Sequence, residues 1–325
     1  MSKKSCREIW TPFSMRLRKI FLLVLPLGIA AALFAAYRTA YAPAEPQNPT
    51  GVIAVFGGDT MLDRNVAAWN KDGGAALFEG VREIFSGADI AALNLEGTIT
   101  ENPSMARQDN RILRFTFEPQ FAREALSPLK LSAASLANNH ALDFYESGYK
   151  ETRERLAGFG VAPFGHPNNA SEFLYSKIEE KGKTFCFAGY NELYDPDTAG
   201  VEQKIRDLRG ECWKIIVFAH WGEEYAPEPA QGQRREARAF IDAGADLIIG
   251  AHPHVTWPHE IYQGKAIFYS LGNFIFDQEF SSEVKRGLIV RAVFYDDKTS
   301  FTLIPVSIEH ARTFALPAVD TFELP

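Results

Sequence analysis

The stretch VIAVFGGD, residues 52–59, decides the fold. Its first five residues form a continuous apolar run that is too short for a buried helix, and it stops at two glycines and an aspartate. This reads as a strand buried on both faces and ending on a polar group. The same grammar recurs in DIAALNLEG (89–97), LSAASLANNH (131–140), KIIVFAHWG (214–222) and LIIGAHPH (247–254). Helical patterns lie between most of these runs, at residues 74–86, 119–128, 146–158 and 233–243. Strands alternating with helices imply an α/β fold containing mostly parallel sheet.

In such folds sites collect at the carboxyl ends of the strands. Asp59, Glu96, Asn139, His140, His220, His252 and His254 all stand there and should converge on one rim. A single strand-end histidine is more often structural than a ligand. Several ionisable groups brought together, however, repel one another or pay desolvation unless cations sit among them. The three cysteines, Cys6, Cys186 and Cys212, form no C-x-x-C pair, so a metal here must be held by His, Asp, Glu or Asn. Carboxylate, carboxamide and imidazole without thiolate suit Mn, Fe or Zn in five- or six-coordinate geometry. His252 and His254 are two residues apart, and in an extended segment both would point the same way, toward two cations about 3.5–4 Å apart. A two-metal centre is the expectation.

Of 325 residues, 34 are Lys or Arg and 41 Asp or Glu, a formal net charge of −7. That is the wrong sign for a protein that binds phosphate backbones, so nucleic acid is excluded as a partner. The charge is uneven: residues 1–49 carry seven basic and two acidic side chains, leaving 27 against 39, net −12, in the remainder. Residues 1–19 read as a basic cytoplasmic tail. Residues 20–37, IFLLVLPLGIAAALFAAY, pass without a charge and are just long enough to span a hydrocarbon core. Basic residues on the leading side place the tail inside and export the rest of the chain. The favoured reading is an uncleaved single-pass anchor, with a signal peptide cleaved near Ala40-Tyr41-Ala42 as the alternative. Residues 38–50 form a Pro-rich linker, 51–310 the folded domain and 311–325 a C-terminal tail.

Six motifs together resemble the capsule-synthesis CapA family, a branch of the calcineurin-like metallophosphoesterases. They are GDTM (58–61), NLEG (94–97), NNHALD (138–143), HWG (220–222), GAHPHV (250–255) and YSLGNFIFDQ (269–278). The resemblance implies a four-layer αββα sandwich and a dinuclear metal-dependent hydrolase of phosphoesterase type. It also implies work in poly-γ-glutamate capsule biosynthesis or export, on an anionic polymer or phosphoester substrate, within a capsule synthesis complex. By the same resemblance Glu96 bridges two cations. Asp59 and His254 complete one site, while Asn139, His220 and His252 complete the other. His140 is the general acid. The alternative is a non-catalytic polymer-binding or assembly component with a degenerate metal site.

Met61 departs from the superfamily pattern, standing where active phosphatases carry a histidine two residues after the first aspartate. Thioether is a poor ligand for hard cations. Asp143, Asn273 and Asp277 are expected to support ligands, although Asn273, after a glycine, reads equally as a turn former. Glu223, Glu224 and Tyr225 line the pocket or a plain loop. Arg234, Arg235 and Arg238 read as an exposed helix face, and His166, His259 and His310 as structural. Cys186 and Cys212 are expected to be separate buried thiols, since pairing needs Cα atoms within about 7 Å.

Overall fold

The computed structural model describes residues 51–109 and 111–325. The expected basic tail, apolar span and linker lie outside the described residues. Among the described residues no helix is long and apolar enough to cross a membrane.

Val52–Thr60 sits in the middle of a mixed sheet. On one side it runs parallel to Ile90–Leu95, then Ala133–Ser135 and Ala162–Phe164. On the other it is antiparallel to Arg286–Phe294, followed by Thr299–Ile308. The second sheet runs in the order His259–Tyr262, Lys265–Phe268, Leu247–Ala251, Lys214–His220, Lys183–Asn191, Tyr175–Glu180, with its four middle strands parallel. The α/β fold read from the strand grammar is therefore present, built on two mixed sheets.

The period-2 alternation of each strand divides its side chains between two cores. Ala54 and Phe56 join Phe164, Phe185, Phe187, Phe218 and Phe268 in a core between the sheets. Val55, Ala91 and Leu93 point the other way, against Phe85, Ala122, Leu126, Tyr149 and Leu156 of the helices Arg82–Ser86, Pro119–Leu126 and Tyr145–Gly158. Outside the second sheet, Ile215, Val217 and Ile248 pack on Thr198–Leu208 and Gln231–Ala243 through Val201, Ile205, Ala237 and Phe240. Truncating one of the central phenylalanines to alanine costs about 3–5 kcal/mol, so this layer fixes how the strand ends of the two sheets meet.

Several expectations are corrected. The helix at 74–86 is a short turn, Gly74–Ala76, and a separate helix, Arg82–Ser86. A Cβ on Gly74 would come within 2.7 Å of Phe121 O, so a close backbone approach outweighs the helical periodicity there. Helices Arg64–Trp69 and Thr198–Leu208 were not read from the pattern; Asp63 and Asp197 begin them by accepting backbone N–H groups. The segment 311–325 is part of the sheet, since Thr313–Ala315 and Asp320–Leu324 both pair with Thr299–Ile308. Its last strand is an edge strand, paired along its length with Thr299–Leu303 and with Phe322 stacked on Phe301 and His259, and lacks a continuous apolar run.

Cys186 and Cys212 are joined in a disulfide, with Cα atoms 5.9 Å apart, which overturns the expectation of separate thiols. Cys186 lies opposite Ile215 in the parallel pair, so the chain entering that second strand passes Cys186 at residue 212. Closing a loop of sequence separation 26 stabilises the fold by about 3–4 kcal/mol in the chain-entropy account.

Candidate metal centre

Strand register gathers the site. Asp59 lies opposite Asn94 on one neighbour and Asn273 on the other, and His220 lies opposite Ala251, the residue before His252. The register of the first strand shifts between Phe56 and Asp59, a bulge that re-aims the aspartate. Gly58 is required there because a Cβ would sit 2.0 Å from Gly272 O. Glu96 follows its strand directly, and its N–H donates to Thr60 O at 2.9 Å.

Two groups of ligand-type atoms form. Glu96, His220 and His252 bring one atom each within 4.8 Å of one another, and so do Asp59, Glu96 and His254. Glu96 is common to both. All five side chains are buried. Asn139 joins the first group, its Oδ1 lying 2.7 Å from His220 Nε2. The structure thus brings together all six residues expected as ligands.

The two imidazoles of the HPH segment arrive by a different route from the one expected. The second-sheet strand ends at Ala251, and His252 and His254 adopt φ of 97° and 59°, a strained left-handed turn around Pro253. The turn sends His252 toward His220, with ring centroids 4.7 Å apart, and His254 toward Asp59, Nδ1 to Oδ2 3.4 Å. It also lets the His252 N–H donate to Asp59 Oδ2 at 3.1 Å, locking the end of one sheet to the other.

The donor set fits divalent cations. Both carboxylate oxygens of Glu96 and Nδ1 of His252 are buried without a hydrogen-bond partner. Such orphaned groups cost about 1–3 kcal/mol each and call for a partner. Burial, then the Asp59 charge beside it, pushes the Glu96 carboxyl well above its ordinary range. Burial, then the neighbouring imidazoles, holds His220 well below 6.5 and His252 at about 4, so both rings are neutral, the form in which imidazole binds a metal. Burial would also lower His254, but Glu96 and Asp59 outweigh it and raise this imidazole to about 9. A proton on His254 thus stands where a cation would supply the compensating charge.

A shell of amides orients the ligands. Asn273 donates to Gln278 Oε1 and Val284 O, which turns its own oxygen to His254 Nδ1 at 3.0 Å. It is a support for His254 rather than a turn former. Asn94 donates to Asp59 Oδ1 at 2.8 Å and lies 3.3 Å from His220 Nδ1, while Asn138 donates to Asn94 Oδ1. Neither amide was singled out from the sequence. Asn94 was nonetheless detectable, standing two residues before Glu96 and so on the same face.

His140 stands at the edge of the centre. Its Nδ1 is 2.8 Å from Asp143 Oδ2 and its Nε2 3.8 Å from Glu96 Oε1. Asp143 is itself held by the Phe115 N–H at 2.6 Å, so the imidazole is fixed with Nε2 toward the ligands. Asp277 is not beside the ligands; it pairs with Arg64 at 2.9 Å. Glu223, Glu224 and Tyr225 are exposed at the mouth, the Tyr225 ring 5.9 Å from His254. Met61 is fully buried, and its sulfur accepts the Asp63 N–H at 3.0 Å.

Residues 54–278 match the family described as bacterial capsule synthesis protein PGA_cap. The PGA biosynthesis protein CapA of Bacillus subtilis (strain 168) is 30% identical over 275 residues, covering 79% of this chain and 72% of that protein. The capsule biosynthesis protein CapA of Bacillus anthracis is 27% identical over 318 residues, covering 88% and 75%. Among solved structures, a hypothetical protein from Thermus thermophilus aligns with a TM-score of 0.48 at 16% identity, over 84% of this chain and 100% of that one.

Proposed function

The chain belongs to the PGA_cap family of bacterial capsule synthesis proteins, and on that premise we propose that it acts in poly-γ-glutamate capsule biosynthesis or export as a membrane-anchored, extracytoplasmic, metal-dependent hydrolase. The observation that carries this reading is Glu96, whose two oxygens are unpartnered and which supplies a ligand atom to each of the two groups. A carboxylate shared between a pair of imidazoles and an imidazole–carboxylate pair is the donor pattern of a dinuclear site, here for Mn, Fe or Zn. Divalent cations held there would supply Lewis acidity and a water acidified toward neutrality.

The chain's own groups do the rest. Asp59, Glu96 and His254 would hold one cation, and Glu96, Asn139, His220 and His252 the other. His140, fixed through Nδ1 by Asp143, delivers a proton from Nε2 to the leaving oxygen or nitrogen. The substrate is a phosphoester or the γ-glutamyl polymer itself. The net −12 of residues 50–325 repels a polyanion everywhere except near the cations, so contact with polymer is local to the centre. Export is supported by the basic tail before residues 20–37 and by the Cys186–Cys212 disulfide, which persists in oxidising compartments.

A second reading, a binding or assembly component of a capsule complex, is favoured by Met61, which puts no nitrogen ligand beside Asp59. One experiment separates the two. Full-length protein is purified, its metal content measured, and hydrolysis of a phosphodiester and of γ-glutamyl oligomers followed. Bound transition metal with turnover that falls in His220→Ala supports the hydrolase, and bound metal without turnover supports the assembly role. Absence of metal under loading conditions overturns the hydrolase and leaves the assembly role with a degenerate site. Protease added to intact cells should degrade the domain while sparing the tail, and recovery of the domain only in the cytosol contradicts export.

A further inference from the structure

Arg64 has no part in the ligand set, yet it is held more rigidly than a surface arginine. It enters the helix Arg64–Trp69 at φ 51°, a conformation that costs energy for a side-chain-bearing residue. Its Nε and Nη2 take the two oxygens of Asp277 at 3.1 and 2.9 Å, and the Asp277 side chain is wholly buried. The guanidinium lies 5.6 Å from the Phe115 ring and 6.0 Å from the Phe276 ring. Phe115 in turn lies 4.3 Å from the His140 ring, and Phe276 lies 4.8 Å from His254. Arg64 therefore shares the Phe115 ring with the proton donor and the Phe276 ring with a ligand imidazole.

A buried ion pair of this kind contributes little net stability, because desolvation offsets the attraction. Arginine can hold a carboxylate on one edge and still present the other edge of its planar fork, which lysine cannot do. Here Nη1 has no partner among the described residues, and the side chain is 20% exposed. In a domain of net −12, a fixed guanidinium near the centre is what an anionic substrate needs in order to approach.

We infer that Arg64 binds an oxyanion of the substrate, a carboxylate or phosphate oxygen next to the scissile bond, and thereby selects anionic substrates; this rests on the metal-centre reading above. The test titrates full-length protein calorimetrically with inorganic phosphate and with γ-linked triglutamate, and measures metal content in parallel. Arg64→Gln should weaken the probe that the unmodified protein binds by roughly ten- to a hundredfold at unchanged metal content. Because that change strands a buried carboxylate, the double variant Arg64→Gln with Asp277→Asn is included, and it should show the same loss. Arg64→Lys should fall between. An effect on phosphate alone identifies a phosphate group, and an effect on triglutamate alone identifies the polymer carboxylate. Unchanged affinity in either folded glutamine variant, or no binding of either probe to the unmodified protein, overturns the inference and leaves the metal centre standing. An unmodified protein without metal overturns the metal centre, while the affinity comparison still decides Arg64.

Discussion

Replacing Glu96 with glutamine separates a metal centre from a merely buried carboxylate, because the two predict opposite signs of stability change. Without metal, Glu96 is a carboxyl group whose oxygens have no hydrogen-bond partner and whose charge is disfavoured first by burial and then by Asp59. An isosteric neutral amide leaves its polar atoms as unpartnered as the carboxyl's, but it removes the buried charge and the repulsion from Asp59, which together outweigh the lost attraction to His254, a net gain of about 1–3 kcal/mol, or roughly 2–10 °C for a domain of this size. In chelator, therefore, Glu96→Gln should melt above the unmodified protein. With metal the order inverts. A cation at about a hundred times its dissociation constant stabilises the unmodified fold by about 2.7 kcal/mol, and the variant loses most of that gain together with the shared ligand. Differential scanning calorimetry in chelator and in excess Mn or Zn, with metal counted by mass spectrometry, reads both arms. A variant that melts lower in chelator, or that keeps its full metal complement, refutes the reasoning.

Other outcomes rest on the same geometry. His140→Ala should keep its metal while any hydrolytic turnover drops by about 10²–10⁴, and metal lost in step with activity would make His140 a ligand instead. Metal-free protein should be most stable near pH 6.5. His254, held at about 9 in the fold, contributes stability that is complete below its unfolded value near 6.5 and is lost as pH rises through 9, about 3 kcal/mol in all. His252, at about 4, and His220, also lowered, cost stability as pH falls below 6.5 because the unfolded chain then binds protons that the fold refuses. Melting temperatures that climb steadily from pH 6.5 to 9 in chelator would count against this charge assignment. Cys186→Ala should lower stability by about 3–4 kcal/mol, and an equal melting temperature with and without reductant would show that the bridge contributes nothing.

What the sequence makes legible is the end of each strand. Apolar runs stopping on Asp59, Glu96, His220 and the residues before His252 announce both the α/β alternation and the rim, since a run buried on both faces can place a polar group only where it leaves the sheet. What it hides depends on register and backbone turns. Asn94 matters because it is paired with Asp59 across the sheet, and Cys212 meets Cys186 only because the intervening helix returns the chain in parallel. The left-handed turn at His252 and His254 could not be read from spacing, because residue spacing carries no information on the sign of φ. Arg64 and Asp277 are 213 residues apart and carry no shared motif. Edge strands such as Asp320–Leu324 lack a two-sided apolar signal for the same reason that they are edges.

The central claim is that Glu96 is shared by two cations. Anomalous diffraction from crystals of protein loaded with Mn or Zn tests it most directly. Two peaks flanking the Glu96 carboxylate are predicted, one within ligand distance of His220 and His252 and the other of Asp59 and His254. A single peak, or none after loading, would contradict the account.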